Sequence, residues 1–178
     1  NDIIIITSAG DGNNDTLIGG SGDDVINLSA GSHSFSDNAK LATIETINAN
    51  ASATTLDLTG QLEGFTIAGG AQGDNLTGGS GNDIITGGGG DDTLKGGAGN
   101  DTLNVDSGSD IITLLGGAGA GGEDDVLVVS NGATATAANI INFVATTGTT
   151  NAGTAILSVK SDNGVINMSQ ATGVFEIR

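Results

Sequence analysis

The chain's 178 residues include 32 glycines but no proline, cysteine, tryptophan or tyrosine, and 21 Asp/Glu against four Lys/Arg give a formal charge of −17. That balance argues against nucleic acid and anionic membranes as partners, because both need a basic footprint. A single histidine (His33) and no cysteine remove disulfide frameworks and structural zinc, and no apolar run, Ile3–Ile6 included, is long enough to span a bilayer.

In chain order, residues 1–4 (Asn-Asp-Ile-Ile) are identical to Asn82–Ile85, so the chain reads as starting in mid-repeat, as a fragment of a longer protein would. GGSGDDVIN at residues 19–27 has the form G-G-x-G-x-D-x-U-x, where U is a large aliphatic residue. GDGNNDTLI before it, at residues 10–18, keeps the pattern in part through Asp15 and Leu17. Residues 28–68 lack the paired glycines of the repeat, yet stepping back by nines from Leu76 gives Ile67 and Leu58. Phe65 and Leu56 then stand where aspartate would, and stepping forward from Ile26 gives Phe35 and Ile44. The repeat is expected to continue here with an apolar pair in place of the aspartates. Ile44 and Leu58 are out of phase with each other, which predicts an irregular turn within Asn48–Thr55.

The densest signal follows. GGSGNDIIT, GGGGDDTLK and GGAGNDTLN are three uninterrupted copies at residues 78–86, 87–95 and 96–104. They are flanked by GGAQGDNLT at 69–77, with Gln72 for the third glycine, and by VDSGSDIIT at 105–113, which keeps Gly108, Asp110 and Ile112. After Leu114 the pattern dissolves in GGAGAGGEDD, where Glu123, Asp124 and Asp125 are read as an exposed acidic loop rather than one more ion site. β-branched clusters then recur at Val126–Val129, Ile140–Val144, Ala155–Val159, Val165–Met168 and Val174–Ile177, parted by Asn131-Gly132, Thr147-Gly148 and Asp162-Asn163-Gly164. The last turn predicts a hairpin. Residues 114–178 are expected to form a β-rich cap over the open end of the repeats, an edge otherwise prone to aggregate.

The chemistry follows from the spacing. Glycines at the first, second and fourth positions admit positive φ and sharp turns. Aspartate at position six and the aliphatic at position eight share one face of a strand, so the carboxylate points inward with the core residue. A buried, unpaired carboxylate is costly. Carboxylate and carbonyl oxygens are hard ligands that favour calcium over zinc or copper. Composition alone would also suit a disordered acidic linker, but a linker has no use for a strictly phased Leu or Ile.

These nonapeptides resemble the RTX (repeats-in-toxin) family of secreted calcium-binding proteins. The resemblance implies an all-β fold, a right-handed parallel β-roll in which two nonapeptides make one coil and calcium ions lie between successive turns. On this sequence it implies that Asp74, Asp92 and Asp110 line one edge and Asp83 and Asp101 the other. Carbonyls from Gly79, Gly81, Gly88, Gly90, Gly97 and Gly99 would complete the shells. At the N-terminal copies the corresponding ligands are Asp15, Asp24, Gly20 and Gly22. Asp2, one coil and a short insertion before Asp24, would share a site with it. The organisation implied is a roll over 1–113, with repeats at 10–27 and 69–113 and a calcium-poor middle at 28–68, followed by the cap at 114–178.

Function by the same resemblance is that of a calcium-binding structural module of a secreted bacterial protein, exported by a type I system and folding on calcium outside the cell. The C-terminal segment would include the secretion signal. The alternative is a surface-layer or adhesin building block that self-associates, suggested by the Ala/Thr/Asn-rich body and phrases such as IETINANASATTLDLTG. Catalysis is not expected. HExxH and G-x-S-x-G are missing, His33 is read as a solvated loop residue between serines, and the repeat already explains the Asp91-Asp92 pair.

Overall fold

Strict alternation around each D-x-U triplet makes short strands with one face inward, and the glycines between them force the chain to reverse. The computed structural model describes residues 1–7, 16–35, 41–49, 52–113, 125–140, 142–144, 149–159, 165–167 and 171–177. Its strands are β1 (Ile3–Ile6), β2 (Leu17–Ile18), β3 (Val25–Leu28), β4 (Gly31–Ser34), β5 (Leu41–Ala42), β6 (Thr46–Ala49), β7 (Thr54–Asp57), β8 (Thr66–Gly69), β9 (Asn75–Thr77) and β10 (Ile84–Thr86). They continue as β11 (Thr93–Lys95), β12 (Thr102–Val105), β13 (Ser109–Thr113), β14 (Val126–Val129), β15 (Thr134–Ile140), β16 (Asn142–Val144), β17 (Thr150–Val159), β18 (Val165–Asn167) and β19 (Thr172–Ile177). No helix occurs among the described residues, and none is therefore long and apolar enough to cross a membrane.

The pairing is parallel throughout and builds a β-solenoid with two walls. One wall runs β1-β3-β6-β8-β10-β12-β14 and the other β4-β7-β9-β11-β13-β15, and β17 pairs with both β14 and β15. The two walls thus close into one 15-stranded sheet at that end, with β19 added on β17. Through the tandem repeats one coil is two nonapeptides, which sets Ile85 opposite Leu103 and Leu76 opposite Leu94. Elsewhere the coil lengthens. Ile47 faces Ile67, Ile26 faces Ile47 and Leu103 faces Leu127, each a longer step than the repeat would give.

Inside, each wall contributes a stack of like side chains. Ile26, Ile47, Ile67, Ile85, Leu103 and Leu127 form one ladder, and Leu56, Leu76, Leu94 and Ile112 the other, all fully buried. At about 1.5–3 kcal/mol per buried aliphatic side chain, these ladders supply the apolar stabilisation that a chain with four aromatic residues cannot draw from rings.

The glycine-poor middle joins the same sheet, with one register differing from expectation. Phe65 does take the aspartate position, two residues before Ile67 and beside the turn of Asp83. Leu56 does not. It faces Leu76 in the aliphatic ladder, and Thr54 stands two before it. Counting by nines assumes a coil of two nonapeptides, and the coil from Leu56 to Leu76 is longer than that. Leu58, Phe35 and Ile44 are buried but off the ladder positions. β18 pairs with β16 in parallel, so the hairpin read into Ala155–Met168 is not the pairing formed, and the turn itself lies outside the described residues.

His33 departs furthest from expectation. It lies in β4, opposite Leu56, and is 1% exposed; the reading as a solvated loop residue fails. The alternation His33, Phe35 turns both side chains inward. His33 Nε2 lies 2.9 Å from the Ser29 carbonyl oxygen, while Nδ1 is buried with no partner. Leaving a buried polar atom unsatisfied costs about 1–3 kcal/mol. His33→Leu, which extends the leucine ladder, is expected to raise the thermal midpoint in saturating calcium, at about 2–4 °C per kcal/mol for a chain of this size. A lower midpoint in a calorimetric scan would contradict that reading.

Candidate metal centre

The repeats carry their aspartates into two inward-facing columns. Asp74, Asp92 and Asp110 stack on one wall, and Asp83, Asp101 and Asp125 on the other, each at most 3% exposed. Every carboxylate in a column is fixed by the backbone of the preceding coil. The N–H of Asp74 donates to Asp92 Oδ1 at 2.8 Å, that of Asp92 to Asp110 Oδ1 at 2.9 Å, and that of Asp83 to Asp101 Oδ1 at 2.8 Å. Where the preceding coil lacks an aspartate, its amide still donates: Thr54 N–H to Asp74 Oδ1 and Phe65 N–H to Asp83 Oδ1, both at 2.7 Å. A second, outer ladder runs the opposite way. Asn82 Oδ1 accepts from Asn100 N–H and Asp91 Oδ1 from Ser109 N–H, both at 2.9 Å. The fifth position of the repeat, treated as free in the sequence, is therefore an Asn/Asp position with a turn-to-turn bond to make.

The remaining carboxylate oxygens meet two fates. Asp74 Oδ2 and Asp83 Oδ2 accept from Gly70 and Gly79 N–H at 2.8 Å. Asp24, Asp92 and Asp110 each bury an Oδ2 that receives no hydrogen bond. Backbone carbonyls crowd the same turns. A Cβ placed on Gly78 would lie 2.3 Å from Asp83 Oδ2 and 2.3 Å from the Gly96 carbonyl oxygen. One on Gly88 would lie 2.2 Å from the Gly70 carbonyl oxygen, and one on Gly97 2.1 Å from that of Gly79. Carboxylate and carbonyl oxygens therefore converge on space that only a residue without a side chain leaves open. Gly88, Gly90, Gly97 and Gly99 hold positive φ, as do Gly20 and Gly22. The first glycines Gly19, Gly69, Gly78, Gly87 and Gly96 do not, nor do Gly79 and Gly81, which corrects the sequence-based account. Gly78 and Gly87 are needed because the repeat's own aspartate folds back over them, not because the backbone is left-handed.

These oxygens suit a hard cation. Neighbouring carboxylates in a column recur about every 4.8 Å, the strand spacing, where like charges repel by about 1 kcal/mol in water and roughly 3.5 kcal/mol near protein. Burial pushes the Asp110 carboxyl up to about 6, with Asp92, Asp91 and Asp106 adding to the rise against the Asp92 amide. Burial likewise raises Asp92, with Asp74 and Asp91 contributing, and raises Asp83 against the Phe65 and Gly79 amides. No three carboxylates or imidazoles converge at one point among the described residues, so any ion held here takes carbonyl oxygen as well, as calcium does.

Of the candidate residues, Asp74, Asp83, Asp92, Asp101, Asp110 and Asp24 lie in the columns beside their glycines, while Asp15 lies outside the described residues. Two column members escaped the repeat. Asp125, 2% exposed, accepts from Asp101 N–H at 2.9 Å rather than lying in an exposed loop. Glu45 Oε2 accepts from Asp24 N–H at 2.7 Å. Their signal was the acid two residues before an aliphatic, in Glu45-Thr46-Ile47 and Asp125-Val126-Leu127. The longer coils that lead to them hid it from a count by nines. A groove of about 360 Å³ opens where the Asp74 column meets Thr54, lined by Gly31, Ser32, Gly73, Asn75 and Asp91 among others, and without an imidazole or thiol.

Two outcomes follow. A raised carboxyl means that the metal-free fold holds a proton which the unfolded chain has lost, so between pH 3.8 and about 6 its stability falls as pH rises. In chelator, the thermal midpoint is expected to climb on acidification from pH 7 to 5, while calcium affinity weakens over the same interval as protons compete. A metal-free midpoint that drops on acidification would contradict this. In Gly87→Ala the new Cβ would lie 2.3 Å from Asp92 Oδ2, and calorimetry is expected to find weakened calcium binding; unchanged affinity would mean that the carboxylate is not held against Gly87.

Among known families, the RTX calcium-binding nonapeptide repeat matches the chain in four copies, over residues 7–32, 66–94, 77–112 and 86–121. Comparison with curated proteins and with solved structures returns no match.

Proposed function

From a chain that carries RTX calcium-binding nonapeptide repeats on a parallel β-solenoid, we propose a calcium-dependent folding module of a secreted protein. Its ligands are Asp74, Asp83, Asp92, Asp101 and Asp110, with carbonyls of Gly79, Gly81, Gly88, Gly90, Gly97 and Gly99. Asp24 with the Gly20 and Gly22 turn serves the N-terminal repeat. The observation that carries this reading is the buried Oδ2 of Asp92 and of Asp110, each without a hydrogen-bond donor, in a column where glycine carbonyl and carboxylate oxygens crowd the same turn at Asp74. An ion there removes the desolvation penalty of the carboxylates and the repulsion between coils in one step.

Magnitudes favour a switch over a permanent fastening. Extracellular calcium modules bind at about 10⁻⁴–10⁻³ M. At ten times the dissociation constant each site adds about 1.4 kcal/mol, RT ln 11. Three such sites would add roughly 4 kcal/mol, comparable to the whole net stability of a small domain, about 5–15 kcal/mol. Inside a cell, where calcium is scarce, the roll stays open and fits an export channel; outside it closes. Such a module supports neighbouring domains of a longer chain and performs no reaction itself.

The test is far-UV circular dichroism of the chain in chelator and during a calcium titration. β content is expected to rise cooperatively in the submillimolar to millimolar range, with magnesium much less effective. Equal β content in chelator and in millimolar calcium would overturn the proposal. Asp92→Asn is expected to move the transition to higher calcium.

A further inference from the structure

At one N-terminal coil, the carbonyl–carboxylate arrangement of the perfect repeats recurs with residues that do not belong to the nonapeptide. In the tandem array, Asp83 Oδ2 and the Gly96 carbonyl of the next coil converge over Gly78. Over Gly19 the same two positions are filled by Asp24 Oδ2 and by the Thr43 carbonyl, 2.3 Å and 2.2 Å from where a Cβ would stand. The backbone agrees: Gly19 N–H donates to the Ala42 carbonyl at 3.0 Å, as Gly78 N–H does to Lys95 at 2.9 Å. Thr43 takes the part of a repeat glycine, and it holds φ 55°, the one positive value on a non-glycine residue among the described residues. β-branched residues rarely adopt that conformation. From Thr43 only two residues reach Glu45, whose Oε2 accepts from Asp24 N–H as the next coil's aspartate does elsewhere. The longer Glu side chain reaches the place that Asp101 fills beside Asp83.

The hydroxyl of Thr43 diverts an amide that satisfies Oδ2 in two of the tandem turns. In the Asp74 and Asp83 turns, the second glycine's N–H satisfies the repeat's own Oδ2. Here Gly20 N–H donates instead to Thr43 Oγ1 at 2.7 Å. Asp24 is 0% exposed, and its Oδ2 receives no hydrogen bond. Its Oδ1 is already engaged by the Asp2 amide and lies 3.7 Å from the terminal ammonium. A fully buried carboxylate oxygen without a hydrogen-bond donor thus shares the space over Gly19 with a backbone carbonyl oxygen, which is costly unless a cation enters.

We infer that Asp24, Glu45 and the Thr43 carbonyl form a hybrid calcium site, half nonapeptide and half the Ala42–Glu45 turn. Oxygen donors of both carboxylate and carbonyl type select a hard divalent cation. Glu45 is exposed, so water has access to complete the shell. The site rests on the calcium reading above and extends it into the glycine-poor middle, where no nonapeptide match reaches residues 43–45. It ties the N-terminal repeat to the coil after it.

Ion counting by native mass spectrometry in calcium tests it on the full chain, with Asp92→Asn in parallel. Glu45→Gln keeps an acceptor for the Asp24 amide but removes the charge, and it is expected to retain β content and to bind one ion fewer. An unchanged count in Glu45→Gln with a lower count in Asp92→Asn overturns the hybrid site and leaves the repeat sites standing. An unchanged count in both overturns the calcium reading beneath it. Should Glu45→Gln not fold, long-wavelength anomalous maps from calcium-grown crystals of the unaltered chain decide. A peak bounded by Asp24, Thr43 and Glu45 is expected; peaks along Asp74–Asp110 with none here overturn the site.

Discussion

Stacking a charged residue on its own copy at every coil is the constraint from which the rest of this structure follows. A parallel solenoid repeats each side chain about every 4.8 Å, so one aspartate per repeat becomes a column of buried like charges. Hydrogen bonds from the preceding coil relieve each carboxylate at Oδ1, but they cannot neutralise it. Either protons or metal ions must enter, and at neutral pH protons are scarce. On the proposed calcium reading, part of the formal charge of −17 is ligand charge.

The glycines serve the same constraint in two ways. At the second and fourth positions Gly20, Gly22, Gly88, Gly90, Gly97 and Gly99 turn the chain through positive φ, while Gly79 and Gly81 do not. Those at the first position leave room for the aspartate to fold back against the next coil's carbonyl. A side chain at the first position would meet the aspartate and carbonyl oxygens of the turn rather than the apolar ladders, as at Gly78. The absence of proline fits parallel strands that need nearly every amide as a donor.

Where the period held, the sequence was legible. The columns Asp74–Asp92–Asp110 and Asp83–Asp101 follow from phase alone, because a coil of two nonapeptides sets every repeat upon the one before the last. Where coils lengthened, counting failed while the local signal survived. Glu45 and Asp125 each precede an aliphatic by two residues and sit in the column, and Leu56 occupies the ladder that Leu58 was assigned. Turn length was the hidden variable: irregular turns absorb extra residues without disturbing the strands they join. His33 was misread for a related reason, since serine neighbours suggest solvent, yet alternation with Phe35 decides which way the ring points.

Whether calcium holds the columns together is tested most directly by amide hydrogen exchange resolved along the chain, in chelator and in millimolar calcium. The amides of Asp74, Asp83, Asp92 and Asp101, which donate to the carboxylate of the next coil, are the ones to follow. They should exchange rapidly in chelator and become strongly protected in calcium. Equal protection in both conditions would mean that the apolar ladders alone hold the roll, contradicting the account.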